Sequence, residues 1–260
     1  MKRKGIILAG GNGTRLHPIT KAVSKHLLPV YDKPMIYYPL STLLLAGIKE
    51  ILIITNPRDT SSFKALLGDG SDWGITIAYA EQLEPAGVAE AYLLAKNFLG
   101  GCASALILGD NFFYGNNFSD MLQSIANSDD ECFIFGYSVS EPERYGVLEL
   151  SQNNEILRIE EKPLNPTSNI AVTGLYFLDN RAPEMAKSLV PSSRGELEIA
   201  DLLNLYAKTG RLKHRMLGRG FAWIDMGTPE SLLEASGFIR TIQKRQGLQI
   251  ASIDEIINIM

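Results

Sequence analysis

Near its N-terminus the chain passes from a short apolar run into a glycine-rich loop, and residues 5–16 read Gly5-Ile6-Ile7-Leu8-Ala9-Gly10-Gly11-Asn12-Gly13-Thr14-Arg15-Leu16. The apolar run is typical of a buried strand. Glycines after a strand let the backbone approach a ligand closely and turn N–H groups towards an anion. Arg15 follows the loop, and a guanidinium can hold a phosphate through two hydrogen bonds. The stretch therefore predicts a phosphate-binding turn at the end of the first strand of an α/β sheet.

Two common phosphate-binding motifs do not match this loop. A P-loop requires a Lys-Ser or Lys-Thr pair directly after its last glycine, and no such pair follows here. A dinucleotide-binding loop requires a third glycine where this chain has Leu16. Because that glycine allows close packing of helix on strand, the leucine argues against a dinucleotide-binding protein. Without other residues, the loop could equally be an ordinary strand-to-helix turn.

The pattern beyond the loop alternates strands with helices in the first half of the chain. Strands are predicted at Gly5–Ala9, Ile51–Thr55, Ile75–Ala80 and Ala105–Leu108, and helices at Pro39–Ala46, Asp59–Leu67, Val88–Phe98 and Phe118–Ala126. Repeated strand–helix units favour parallel strands with helices on both faces. The second half is richer in strands, at Cys132–Val139, Val147–Leu150, Ile156–Glu160, Val172–Leu178 and Trp223–Asp225, with helices at Ala182–Leu189, Leu197–Thr209 and Glu230–Arg245. We predict an α/β fold with a Rossmann-like mixed, mainly parallel sheet flanked by helices, in a single domain over residues 1–260.

Composition excludes several functional classes. The formal net charge is −4, so the chain has no basic patch of the kind that binds nucleic acid. No apolar stretch is long enough to span a bilayer, and the short run at Ile6–Ala9 is not a signal peptide. Cys102 and Cys132 lack metal-ligand spacing and are expected to be reduced thiols. We expect a cytoplasmic protein that binds neither nucleic acid nor membrane.

Polar residues follow several of the predicted strands. Gln82, Asp110 and Asp225 come directly after or at the end of apolar runs, and Lys25 and Lys162 lie near two of the same strand ends. Each has an ordinary alternative as a cap, a turn residue or a surface charge. However, ligands of open α/β sheets bind at the carboxyl ends of the strands. The sequence therefore predicts a site at that edge, with carboxylates suited to magnesium and cations suited to phosphate.

Many motifs along the chain, in order and spacing, resemble those of the bacterial glucose-1-phosphate thymidylyltransferases, a family of sugar nucleotidyltransferases. They include 10–16, Lys25 with 27–29, 33–39, 109–111, 142–147, 160–163, 172–176, 194–199 and 218–227. The resemblance implies transfer of a thymidylyl group from dTTP to glucose 1-phosphate, giving dTDP-glucose and pyrophosphate. It also implies a glycosyltransferase-A-like sheet, a Mg²⁺ cofactor and a homo-oligomer, either dimer or tetramer. Residues 1–130 would be the nucleotide-binding half, and residues 131–260 the sugar-phosphate-binding and assembly half.

The resemblance also implies roles for individual residues. The nucleotide would be bound by Leu8, Gly10, Gly11, Gly13, Thr14, Arg15, Lys25, His26, Gln82, Gly87 and Asp110. The sugar phosphate would be bound by Asn111, Tyr145, Gly146, Glu161, Lys162 and Val172. Magnesium would be held by Asp110 and Asp225, and the catalytic residues would be Arg15, Lys25, Asp110, Lys162 and Asp225.

The chain departs from the family pattern at three places that affect the choice of substrate. His26 stands where the family more often has glutamine, the loop Leu83–Ala89 is unusual, and Ala200 replaces a more usual threonine near the expected hexose. Loss of a hydroxyl relaxes discrimination among sugar substituents. UTP or another hexose 1-phosphate therefore stays open as a substrate. A non-catalytic nucleotide-sugar-binding subunit is the alternative of a different class, although it would have no need of five charged residues in catalytic positions.

Overall fold

The structure, a computed structural model, describes residues 3–128 and 131–259. Its strands are β1 (Lys4–Ala9), β2 (Pro29–Val30), β3 (Lys33–Pro34), β4 (Glu50–Thr55), β5 (Thr76–Glu81), β6 (Ser104–Leu108), β7 (Asn111–Gly115), β8 (Cys132–Ser138), β9 (Gly146–Leu150), β10 (Ile156–Glu161), β11 (Ile170–Leu178), β12 (Leu212–Leu217) and β13 (Phe221–Asp225). Its α-helices are α1 (Tyr37–Leu45), α2 (Thr60–Leu67), α3 (Glu90–Leu94), α4 (Lys96–Leu99), α5 (Phe118–Ala126), α6 (Ala182–Lys187), α7 (Ile199–Lys208), α8 (Pro229–Gln246) and α9 (Ile253–Ile259). Short 3₁₀ turns connect several of them.

One mixed sheet forms the centre of the molecule. Strands β6, β1, β4 and β5 lie side by side and are parallel. Beyond β6, the strand β11 runs antiparallel and pairs with β8 and β9, and β12 extends the sheet from β8. The predicted α/β class and its mixed, largely parallel sheet are confirmed.

Alternating side chains of the central strands supply two hydrophobic layers. Ile7 in β1 and Ile53 in β4 pack in one layer with helices α1, α2 and α5. Ile6 and Leu52, their sequence neighbours, pack in the other layer with α3, α6 and α7. Because successive side chains of a strand point to opposite faces, a continuous apolar run such as that of β4 serves both layers.

The structure corrects several predicted elements. The single helix predicted at Val88–Phe98 is two short helices, α3 and α4, which meet at Ala95. The structure also adds three elements that the sequence pattern does not predict. They are the strands at Leu212–Leu217 and Asn111–Gly115 and the helix at Ile253–Ile259. None of the helices in the described part of the chain has the length and apolar composition needed to cross a membrane.

Candidate active site

A cavity opens at the carboxyl end of β6, where the ends of β10 and β13 also reach it. Its lining mixes charged, aromatic and aliphatic side chains, among them Arg15, Asp110, Asn111, Arg144, Tyr145, Gly146, Glu161, Lys162, Val172, Ala200, Trp223 and Asp225. The end of β6 and residues of the later strands β9 to β11 and β13 thus face one space. The structure brings together here the catalytic and sugar-side residues that the sequence predicts, apart from Lys25.

Two carboxylates meet at the floor of this cavity. Asp110 follows β6, and Asp225 is the last residue of β13. The antiparallel pairing of β13 with β7 sets Asp225 opposite Asn111, and the Met226 backbone N–H donates to the Asp110 carbonyl at 2.9 Å. A local pairing of strands therefore joins residues that are far apart in sequence.

The two carboxyls differ in their electrostatic environment. Burial alone would raise the pKa of Asp110. The Lys25 ammonium in contact with it and the Asn111 amide lower this pKa by more than burial raises it, so the net shift is downward. Burial, followed by the charge of Asp110, raises the pKa of Asp225 above its ordinary value. Two like charges close together in a buried place disfavour joint ionisation unless a cation neutralises them. The pair therefore has the chemistry of an incomplete cation site.

Cations surround the carboxylates from the side of the glycine loop. Lys25 forms a short ion pair with Asp110, and its side chain is only 12% exposed. The aliphatic part of Lys25 packs beneath Gly11 and Gly13. The Arg15 guanidinium lies against Gly227, where a Cβ would come within 2.5 Å of it. Glycine at position 227 thus leaves the space that Arg15 needs beside Asp225.

Asn111 holds the floor of the cavity in place. Its Oδ1 accepts hydrogen bonds from the Trp223 indole N–H at 2.6 Å and from the Gly174 backbone N–H at 3.0 Å. Since two donors fix that oxygen, the Nδ2 group faces Asp110 and donates to it at 3.1 Å. Asn111 was predicted to bind sugar phosphate; it lines the cavity, but these hydrogen bonds give its amide a supporting part next to Asp110.

The residues predicted to bind the sugar phosphate, which include Tyr145, Gly146, Glu161, Lys162 and Val172, all line the cavity. Lys162 has a left-handed backbone conformation, with φ of +43°, and its N–H donates to the Tyr145 carbonyl at 3.0 Å. Burial raises the pKa of the neighbouring Glu161. A lysine in this strained conformation is uncommon and is typical of functional positions.

Lys25 and most of the predicted nucleotide-side residues do not line the cavity but lie beside it. Gly10 packs directly on the Gln82 amide, so that a Cβ at position 10 would collide with Gln82 Oε1. Gly87 has φ of +105° and packs against the backbone of Leu197, which only glycine permits. Leu8 lies in β1, next to β6, and its carbonyl accepts a hydrogen bond from the Gly109 N–H. Thr14 begins the short turn that presents Arg15.

His26 is a buried, uncharged side chain in this group. Its Nδ1 is 3.2 Å from the Ser24 hydroxyl, and its ring touches the space in front of Gly109. Burial, with a smaller effect of Lys25, lowers its pKa to about 3. A neutral imidazole at this position adds shape and hydrogen bonding next to Asp110 without adding charge.

Several residues of the site were not singled out from the sequence. Arg144 lines the cavity, and Arg194 is paired with Glu198 at 2.8 Å and lies 3.7 Å from Glu161. Both arginines belong to motifs that support the family resemblance, and that position was the available signal. Glu90, which accepts a hydrogen bond from Gln82, gave no signal because it reads as an ordinary acidic residue in the first turn of the predicted helix.

Comparison with known proteins decides which family this arrangement belongs to. The family model described as nucleotidyl transferase matches residues 4–242. The chain belongs to the nucleotidyl transferase family. The resemblance to glucose-1-phosphate thymidylyltransferases, inferred from the sequence motifs, is confirmed.

Relatives and solved structures of this family cover nearly the whole chain. A glucose-1-phosphate thymidylyltransferase of Neisseria meningitidis is 58% identical, over 97% of this chain and 88% of its own. The enzyme of the same name from Xanthomonas campestris is 56% identical, over 98% of this chain and 86% of its own. A Bacillus anthracis structure described by that name, in complex with a sucrose, has a TM-score of 0.84 and 41% identity, covering 92% and 95% of the two chains. A UDP-glucose pyrophosphorylase with UDP-glucose has a TM-score of 0.81 at 27% identity, covering 93% of this chain and 100% of its own.

Proposed function

We propose that this protein transfers a thymidylyl group from dTTP to α-D-glucose 1-phosphate, producing dTDP-glucose and pyrophosphate. The observation that supports it most is the meeting of Asp110 and Asp225 with Arg15 and Lys162 at one cavity, while Lys25 pairs with Asp110. Relatives at 56–58% identity bear the name of that activity. The nucleotide would lie along the glycine loop of the first half, and the sugar phosphate against β9 to β11 of the second half.

The carboxylate pair fits a magnesium ion. Oxygen ligands are those that Mg²⁺ prefers, and nucleotide enzymes commonly hold it by one or two carboxylates together with substrate phosphates. No group of three or more metal-ligating side chains occurs within residues 3–128 and 131–259, so phosphate oxygens and water would complete the coordination. When bound by Asp110 and Asp225, magnesium would supply positive charge to the reacting phosphates.

The remaining residues position the reactants and neutralise charge. A phosphate oxygen of glucose 1-phosphate attacks the α-phosphorus of dTTP, a new P–O bond forms, and the bond to the β-phosphate breaks to release pyrophosphate. Arg15 and Lys25 would hold the triphosphate oxygens, and Lys162 the attacking phosphate. Their charges would stabilise the transition state, in which charge spreads over the phosphate oxygens. The chemistry uses positioning and needs no nucleophile from the protein.

Assembly and location complete the proposal. We expect a homo-oligomer, either a dimer or a tetramer, whose mass light scattering would measure. We expect the reaction to take place in the cytoplasm.

A pyrophosphate-release screen tests the reaction. Purified protein is incubated with Mg²⁺, each of dTTP, dUTP, UTP, dCTP and dGTP, and several hexose 1-phosphates. We expect the highest kcat/KM with dTTP and glucose 1-phosphate. Ala200 lines the cavity and has no hydroxyl that could restrict the choice of sugar. The screen therefore includes several hexose 1-phosphates to decide which sugar is preferred. No pyrophosphate from any pair would contradict the enzymatic activity, and a preference for UTP would reassign the base.

Replacing the carboxylate at the centre of the site gives the matched test. Asp110→Asn is expected to lower kcat by about a thousandfold, because it removes the charge that binds the cation and pairs with Lys25. Asp72→Asn makes the same chemical change at an exposed turn and is expected to leave kcat unchanged. Circular dichroism checks that both variants are folded. Near-normal turnover of the Asp110 variant would remove its assigned role.

A further inference from the structure

Gln82 and Glu90 form a partly buried pair next to Gly10 of the glycine loop. Gln82 is 4% exposed, and its Nε2 donates a hydrogen bond of 2.6 Å to Glu90 Oε2. Glu90 is half-buried and begins helix α3. We propose that Glu90 is a positioning residue that fixes the Gln82 amide in the orientation that accepts thymine and rejects cytosine. This inference rests on the proposed function, in which Gln82 contacts the base.

The chemistry of the pair decides which way the amide points. An ionised carboxylate only accepts hydrogen bonds, so the NH₂ group of Gln82, and not its oxygen, must face Glu90. Oε1 then lies on the opposite side, against Gly10 of the glycine loop. Rotation of the amide by half a turn would lose the hydrogen bond and bring two acceptors together in a largely buried place, which is unfavourable.

Thymine and cytosine require opposite orientations of a glutamine that reads their pairing edge. Thymine offers an N3–H donor beside the O4 acceptor, so it matches an amide whose oxygen faces N3 and whose N–H faces the carbonyl. Cytosine offers an acceptor at N3 beside the N4 amino donor, so it matches the amide turned around. Since Glu90 holds one N–H of Gln82 and leaves the other hydrogen and the oxygen free, only the first arrangement is available without cost.

Glu90→Gln tests this directly, because it keeps the size of the side chain and lets position 90 either donate or accept. The turned amide of Gln82 then has a partner, and dCMP can bind. Dissociation constants for dTMP and dCMP are measured by isothermal titration calorimetry. We expect the preference, Kd of dCMP over Kd of dTMP, to fall at least about tenfold, the range of one good bidentate base contact. Glu90→Ala, which also removes the acceptor, is expected to change the preference in the same direction.

Two controls separate positioning from a structural effect. Glu230→Gln makes the same charge change in the exposed first turn of helix α8 and is expected to leave the preference unchanged. In a Gln82→Ala background, Glu90→Gln is expected to have no effect on the preference, because the amide that it orients is gone. A general loosening of the loop would instead weaken the binding of both nucleotides equally. Urea unfolding would then show a lower free energy of unfolding.

The result that overturns the inference is an unchanged preference in both Glu90 variants, or an equal change with and without Gln82. A wild-type protein that binds dTMP and dCMP equally well overturns it too. The binding measurement needs no turnover, so it is independent of the reaction. If pyrophosphate release from dTTP and glucose 1-phosphate fails while the preference responds to Glu90, the proposed function falls and the role of Glu90 stands.

Discussion

Replacing Lys162 by glycine is expected to give a more stable protein than replacing it by alanine, the reverse of the usual order. The reason is the φ of +43° at this position. A residue with a Cβ pays about 1–2 kcal/mol in the left-handed region, and glycine does not. Glycine loses about 0.4–1 kcal/mol relative to alanine through the greater freedom of its unfolded chain. The difference leaves Lys162→Gly ahead of Lys162→Ala by about 0.5–1 kcal/mol.

The comparison is made by urea unfolding and by thermal melts of the two variants. At this chain length the difference corresponds to about 1–4 °C in Tm. Both variants remove the ammonium, so both are expected to lose kcat by about the same factor, on the order of 10²–10³. The matched control is Arg240 on the exposed face of helix α8, where alanine should exceed glycine by about 1 kcal/mol. If alanine is the more stable at position 162 as well, the backbone there is not strained and the reasoning is wrong.

Two further perturbations test hydrogen bonds of buried side chains. Trp223→Phe keeps an aromatic ring against Tyr145 but removes the N–H that donates to Asn111. We expect the free energy of unfolding to fall by about 1 kcal/mol and the Mg²⁺ concentration for half-maximal rate to rise. An unchanged Mg²⁺ titration would argue against a role of Asn111 in holding Asp110 in place. Burial raises the pKa of Asp179, but hydrogen bonds from Arg181 and Tyr206 lower it further, so its folded-state pKa lies below the ordinary 3.8. The ionised Asp179 therefore stabilises the fold above about pH 4, and this stabilisation is lost as the pH falls through its folded-state pKa. In urea unfolding, the free energy of unfolding of the wild-type protein should exceed that of Asp179→Asn by about 2 kcal/mol at pH 6 and by clearly less at pH 3. An equal difference at both pH values would mean that the charge of Asp179 contributes nothing.

The sequence predicted the fold best where a strand is buried on both faces. The runs that became β1 and β4 contain few polar residues, so their pattern has one interpretation. Strand β12 was missed because it lies at a sheet edge and reads Leu-Lys-His-Arg-Met-Leu, in which the central polar residues hide the extended conformation. Strand β7 was missed because its first residue, Asn111, belongs to a turn motif and its pairing with β13 depends on a segment far away in sequence.

The site divides in the same way. Residues at the ends of predicted parallel strands, such as Asp110, could be located by topology alone, since the carboxyl ends of these strands share an edge. The meeting of Asp110 with Asp225 could not, because it depends on the pairing of β13 with β7 and no spacing in the chain encodes it. The contact of Gln82 with Glu90 likewise depends on how α3 begins relative to β5. Side-chain partners of this kind follow from packing and leave no pattern in a single sequence.

The close approach of Gly87 to Leu197 has a consequence for attempts to alter the enzyme. Leu197 donates to the Ala86 carbonyl at 2.7 Å and accepts from the Ala89 N–H at 3.1 Å, so the loop beside Gln82 is fastened by main-chain hydrogen bonds to the segment that presents Arg194. Arg194 in that segment lies 3.7 Å from Glu161, which we propose binds the sugar phosphate. We therefore expect donor and acceptor preference to change together. Libraries that vary the segment before α7 to admit new sugars should be screened against several nucleotides at once, and compensating changes are to be sought in the loop 83–89.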